Sequence, residues 1–135
     1  MSTTTLTKTP RTLITAGTTA TASGAAVRGA VDLRTAQGGL LTIKITNPAT
    51  GPTVQAVANI MVAHDSGTLP ATGAAGAVWK TIYSVGNGTA ANTVGEWNID
   101  VPPGAMHLQV EVTGNTGQNV TCEAYLSEIT NAVTV

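Results

Sequence analysis

The alternation of apolar and polar residues between Glu96 and Ile129 constrains this chain more than any other feature of it. In Glu96-Trp97-Asn98-Ile99-Asp100-Val101, the residues Trp97, Ile99 and Val101 fall on one side and Glu96, Asn98 and Asp100 on the other. A period of two with one apolar side is that of a half-buried strand. Pro102-Pro103-Gly104 then breaks the run, because neither proline can donate to a ladder and glycine tolerates a sharp reversal. Beyond this corner Met106, Leu108, Val110 and Val112 alternate with His107, Gln109 and Glu111. After a turn-rich run over residues 113–119, Val120, Cys122, Ala124 and Leu126 alternate with Thr121, Glu123, Tyr125 and Ser127. Strand, corner, strand, turn and strand read as an antiparallel meander, with His107 on its outward side. Its apolar face must be covered by a second sheet.

The preceding residues supply that sheet. Val27, Gly29, Val31 and Leu33 alternate with Arg28, Ala30, Asp32 and Arg34, and Leu41, Ile43 and Ile45 alternate with Thr42, Lys44 and Thr46. Asn47-Pro48-Ala49-Thr50-Gly51-Pro52 is a loop, since two prolines and a glycine oppose any ladder. Val54 to Ala63 is apolar on both faces, which predicts a strand near the middle of a sheet with its second face partly covered by a partner. A helix over Val54 to Met61 is the alternative, and the β-branched content opposes it. His64 to Ala77 reads as a surface loop, Val78 to Val85 as a strand, and Gly86 to Gly95 as a second polar loop. About seven or eight strands separated by regular turns define an all-β chain: an antiparallel β-sandwich, jelly-roll-like.

Charged residues make up 10% of the chain and aromatic ones 3%, with no Phe, so the core must be built from small side chains. A thin core of this kind is expected to gain stability from self-association or from docking on a partner. The net charge of −1 gives no electrostatic reason to seek nucleic acid or a membrane surface. The charges are nevertheless segregated. Up to residue 50 they are Lys8, Arg11, Arg28, Arg34 and Lys44 against Asp32; beyond it they are Lys80 against Asp65, Glu96, Asp100, Glu111, Glu123 and Glu128. Such complementarity suits pairing within one fold or head-to-tail contact between copies. Residues 1–26 are Thr, Ala, Ser and Gly with few large apolar side chains, and they predict an extended arm, mobile alone and ordered on a neighbour, ahead of a sandwich domain over 27–135. They lack the basic-then-apolar pattern of a signal peptide, so export by that route is not expected.

No constellation for chemistry emerges. Ala63-His64-Asp65-Ser66-Gly67 holds a base, an acid and a hydroxyl, but neighbours at a strand end point in different directions, and Asp-Ser-Gly is better explained as a turn. Cys122, the single cysteine, lies in an inward register and reads as an inert buried thiol. Two histidines without a second cysteine make no case for zinc, and no glycine-rich phosphate loop is present. The expectation is therefore no catalytic residue, no metal and no cofactor. Outward carboxylates such as Glu96, Asp100, Glu111 and Glu123 read as a solvated face. Asn87-Gly88-Thr89 and Asn119-Val120-Thr121 match the glycosylation pattern, which is common by chance. Trp79, Tyr83, Trp97 and Tyr125 are the rings a sugar-binding reading would use, with Trp97 assigned to the core.

Trp97-Asn98-Ile99-Asp100-Val101-Pro102-Pro103-Gly104, the Met/Leu/Val strand after it and Gly114-Asn115-Thr116-Gly117 lie in a small Thr/Ala/Gly-rich chain. In that setting they resemble the small β-sandwich structural proteins of tailed bacteriophages, the capsid decoration (cement) proteins above all. The resemblance spans about residues 27–129. It implies a non-enzymatic virion protein made in the host cytoplasm and placed on the outer capsid surface, clamping neighbouring major capsid protein subunits. The small-residue core and the two-faced apolar strand from Val54 to Ala63 suggest a homo-oligomer, and a closed ring on a symmetric lattice favours a trimer over a dimer. The arm would be the anchor, with Leu6, Leu13 and Ile14 filling pockets of the partner and Lys8 and Arg11 meeting acidic groups. Other tail or neck parts, a carbohydrate-binding module and a small hydrolase are the alternative readings.

Overall fold

The computed structural model describes residues 3–72 and 78–134. Its elements are β1 (Thr4–Ala20), β2 (Val27–Asp32), β3 (Gly39–Thr46), β4 (Val57–Ala63), β5 (Lys80–Gly86), β6 (Val94–Val101), β7 (His107–Thr113) and β8 (Val120–Thr134). They form two four-stranded sheets: sheet A, in the order β1-β8-β3-β6, and sheet B, in the order β2-β7-β4-β5. All pairings are antiparallel. First pairs with eighth, third with sixth, second with seventh and fourth with fifth, so a long folded ribbon has been rolled into a sandwich; this is the jelly-roll wrapping. The expected fold class holds.

The expected meander does not. β6 and β8 both lie in sheet A with β3 between them, while β7 belongs to sheet B. The corner at Pro102-Pro103-Gly104, closed by a hydrogen bond from the Ala105 N–H to the Pro102 carbonyl, carries the chain across the core instead of turning it back beside itself. Alternating strands look alike in sequence whether they pair or face each other across a core, because both arrangements bury the same parity.

That parity places the core. Leu41, Ile43 and Ile45 from β3, with Val120, Cys122, Ala124 and Leu126 from β8, face Ala58, Ile60 and Val62 from β4 and Leu108, Val110 and Val112 from β7. Cys122 is buried as expected, and burial pushes its thiol pKa up to about 11, so it stays protonated. The basic and acidic halves meet inside this single fold. Arg11 pairs with Glu128 at 2.8 Å, Arg28 with Glu111 at 2.8 Å, and Lys44 with Glu123 at 3.6 Å.

Residues 4–20, expected to be an arm that orders only on a neighbour, are instead the edge strand of this chain's own sheet A, paired along β8 from Thr4↔Thr134 to Ala20↔Val120. The anchor set divides accordingly. An extra residue between Thr12 and Ile14 breaks the two-residue period, which lets both Leu13 and Ile14 turn toward the core. Ile14 is buried there and Arg11 is engaged with Glu128, while Leu6 and Lys8 remain exposed. The same bulge brings β1 over β2: a Cβ on Gly29 would lie 1.9 Å from the Leu13 carbonyl oxygen, so only glycine fits there.

Candidate binding faces

The outer faces of the two sheets differ in what lies over them. On sheet B, the outward parity brings together Arg28 and Asp32 from β2, His107, Gln109 and Glu111 from β7, and Asn59 and Met61 from β4. Here His107 and Gln109 are buried, which corrects the expectation that His107 points into solvent. Residues 64–72, which follow β4, fold back over them. His107 Nε2 donates to the Asp65 carbonyl at 3.0 Å, Arg34 Nη1 donates to the Ser66 carbonyl at 3.0 Å, and Trp79 Nε1 donates to the Ala71 carbonyl at 3.1 Å. Trp79, only 3% exposed, closes this strap. On the second face of β4, Val57, Asn59 and Met61 stay half-buried.

Across this face several polar atoms are matched to one another. Glu111 accepts from Arg28 Nε at 2.8 Å and from Asn59 Nδ2 at 3.2 Å, and Gln109 Nε2 lies 3.2 Å from the Met61 sulfur. Asp32 takes two nitrogens of the Arg34 side chain and the Arg34 backbone N–H, and these hydrogen bonds hold its carboxyl down at about 2. His107 Nδ1 stands 3.6 Å from the same carboxylate with no hydrogen-bond partner. His64, Asp65 and Ser66, the string that suggested a triad, are exposed in the strap, and it is the Asp65 and Ser66 carbonyls that bind sheet B. Among the described residues no group of three or more His, Cys, Asp or Glu is placed to hold a metal ion.

Among the described residues, no loop lies over the outer face of sheet A. Thr42 and Lys44 from β3, Glu96 and Asn98 from β6, and Glu123 and Tyr125 from β8 line a groove of about 260 Å³ across the strands. Lys44 Nζ sits between two carboxylates, 3.6 Å from Glu123 and 4.0 Å from Glu96. The neighbouring Glu123 carboxylate, ahead of burial, pushes the Tyr125 phenol pKa up. A second hollow of about 140 Å³ shares Lys44 and Glu123 and reaches Gly17, whose φ of 78° shapes a further bulge in β1. Of the four rings singled out in the sequence, Trp79 closes the strap, Trp97 packs against the core, Tyr83 is exposed on the edge strand β5, and Tyr125, 38% exposed, lies in the groove. Thr42, Lys44 and Asn98 escaped sequence reasoning; their signal was shared outward parity, which means a common site only once β8, β3 and β6 are known to be neighbours.

The two ends of the sandwich also differ. At one, buried Asn47, Asn87 and Asn115 tie loops together: Asn47 Nδ2 donates to the Ala90 carbonyl at 2.9 Å, Asn87 Nδ2 donates to Asn47 Oδ1 at 2.9 Å, and Asn115 Nδ2 donates to the Ala20 carbonyl at 3.0 Å. Asn87 is consumed by this packing. At the other end, β3 stops pairing at Gly39↔Glu128, while β1 and β8 continue together as a two-stranded ribbon to Thr4↔Thr134. Leu6 is 48% and Val133 44% exposed on it. At its root a hollow of about 570 Å³ is lined by Lys8, Leu40, Pro102, Pro103 and Ile129.

By sequence the chain matches no protein-family model and no curated protein. By fold it is similar to the K3 cleaved adhesin domain of Lys-gingipain from Porphyromonas gingivalis W83, with a TM-score of 0.52 and 10% identity over 74% of this chain and 62% of that one. A chain of infectious bursal disease virus Gx strain is similar with a TM-score of 0.52 and 13% identity, over 96% of this chain and 35% of that one. CBM29_1, a family 29 carbohydrate-binding module from Piromyces equi, aligns at a TM-score of 0.44 and 9% identity over 95% of this chain and 91% of the module. The chain therefore spans about three fifths of the adhesin domain and about a third of the viral chain. At these identities the likeness is one of fold: a β-sandwich shared by viral and binding proteins.

Proposed function

We propose that this chain is a non-enzymatic virion structural protein of the capsid decoration type. Its ribbon end docks on major capsid protein subunits of a phage head, and its copies are arranged as a homo-oligomer, a trimer rather than a dimer, on the outer capsid surface. The observation that carries the reading is the concentration of exposed apolar side chains at that end: Leu6 and Val133 on the ribbon and Leu40 at its root. A two-stranded ribbon is marginal in water by itself, so one that ends in apolar side chains is built to be covered. Pro102, Pro103 and Ile129 extend the same surface, and Lys8 adds a positive charge beside it. The small β-sandwich build and the phage resemblance of the sequence support the choice of partner.

The double substitution Leu6→Asp with Val133→Asp tests this. Both residues are exposed, so the melting temperature of the isolated protein should stay within about 2 °C of the parent. Retention on purified heads, read by co-sedimentation, should fall at least tenfold, equivalent to about 1.4 kcal/mol. Undiminished retention would place the contact elsewhere and remove the ribbon from the proposal. Sedimentation of the free protein as a stable monomer at micromolar concentration would remove the homo-oligomer.

A further inference from the structure

We propose that the groove across the outer face of sheet A is a binding site for an oligosaccharide, a function separate from docking at the ribbon. The lining excludes other ligand classes. Glu96 and Glu123 outnumber Lys44, so phosphate-bearing chains are repelled and not gathered. Six polar or amphipathic side chains surround the floor, so an apolar ligand would strand their hydrogen-bonding groups. What remains is a neutral ligand with many hydroxyls and one apolar face, which describes a pyranose.

Each lining group has a role toward such a ring. The carboxylates of Glu96 and Glu123 accept from sugar hydroxyls, Lys44 donates to them, and Asn98 and Thr42 do both. The Tyr125 ring offers the negative face of its π-system to the electropositive C–H face of a pyranose. Tyr125 is 38% exposed beside Glu123, so its ring is accessible to such a ligand. Lys44, held between two carboxylates, is pre-positioned. The hollow toward Gly17 shares Lys44 and Glu123 with the main groove, so neighbouring units of one chain would lie side by side across the strands. Together the two hollows reach the lower end of ordinary small-molecule sites, about 300–1,000 Å³.

The full chain should be screened on an array printed with neutral hexose and N-acetylhexosamine oligosaccharides, and the glycan retained then measured by titration calorimetry. A dissociation constant below about 1 mM is expected, weakened at least tenfold in Tyr125→Ala and in Glu123→Gln. Tyr125→Phe, which keeps the ring, should lose less than Tyr125→Ala, and this separates stacking from general disturbance of the face. The Leu6→Asp, Val133→Asp protein should bind the glycan undiminished, which makes this site and the docking reading fail independently. The proposal is overturned if no glycan binds at millimolar concentration, if binding survives Tyr125→Ala unchanged, or if extended peptides occupy the groove in preference to glycans.

Discussion

Sheet A and sheet B share a jelly roll and the same alternating strand pattern, yet the outer face of sheet B buries two polar residues at its centre while that of sheet A buries none among the described residues. On β7 the outward His107 and Gln109 are enclosed; on β6 the outward Glu96, Asn98 and Asp100 are exposed. Strand parity decides which side of a sheet a residue takes. Whether that side meets water depends on the connections: residues 64–72 and Trp79 form a strap over part of sheet B, and among the described residues none plays that part over sheet A. The covered face has matched most of its polar groups among themselves, His107 Nδ1 being the exception. The bare face keeps its donors and acceptors available for a ligand.

The sharpest way to break this difference is to remove the strap's closure. Trp79→Ala deletes a buried ring and its hydrogen bond to the Ala71 carbonyl, and should cost about 3–5 kcal/mol in urea unfolding. Binding of a hydrophobic dye should rise as sheet B becomes exposed. A loss under about 1 kcal/mol would mean that the strap lies on sheet B without stabilising it. His107→Leu is the next step down. It keeps an apolar filling but takes the donor from the Asp65 carbonyl, so about 1–2 kcal/mol should be lost. On sheet A the opposite result is expected from Thr42→Ala and Asn98→Ala, because Asn98 is exposed and Thr42 only half-buried. Stability should change by less than about 0.5 kcal/mol for each.

How much of this was legible in the sequence follows from the same contrast. Leu41, Ile43, Ile45, Leu108, Val110, Val112 and Leu126 could be assigned to the core because alternation is local and survives any topology. The order of strands could not, since β6, β7 and β8 carry the same pattern whether they pair in one sheet or alternate between two. His107 was misplaced because its cover comes from Asp65, 42 residues away, in a loop that composition alone marks as surface. Leu13 and Ile14 hid in a Thr-rich stretch, where two adjacent apolar residues cannot both face a core unless a bulge intervenes, and bulges leave little trace in sequence. The groove needed β8, β3 and β6 to be neighbours, which is the information that was missing.

The smallest effect expected is on acidification, and it too separates the two faces. Asp32 is held at about 2 in the folded chain, against an ordinary 3.8, chiefly by hydrogen bonds from the Arg34 side chain and backbone. Because the folded value is depressed, the stability this carboxylate contributes is fully present above about 3.8 and disappears as the pH falls through about 2. Its surroundings are Arg34 from the segment after β2 and His107 Nδ1, 3.6 Å away on β7. Neutralising Asp32 releases the guanidinium that also donates to the Ser66 carbonyl, so the strap loses part of its hold on sheet B. Asp32 is partly exposed and solvent screens the pair, so global stability should shift little. The readout is therefore local: amide hydrogen exchange over residues 64–72, compared between the parent and Asp32→Asn at one pH so that intrinsic rates cancel. At about pH 5 the variant should exchange faster in the strap and equally on β3 and β6; near pH 2 the two proteins should converge. Equal strap exchange at pH 5 would show that Asp32 and Arg34 do not hold the strap, leaving it to Trp79 and His107.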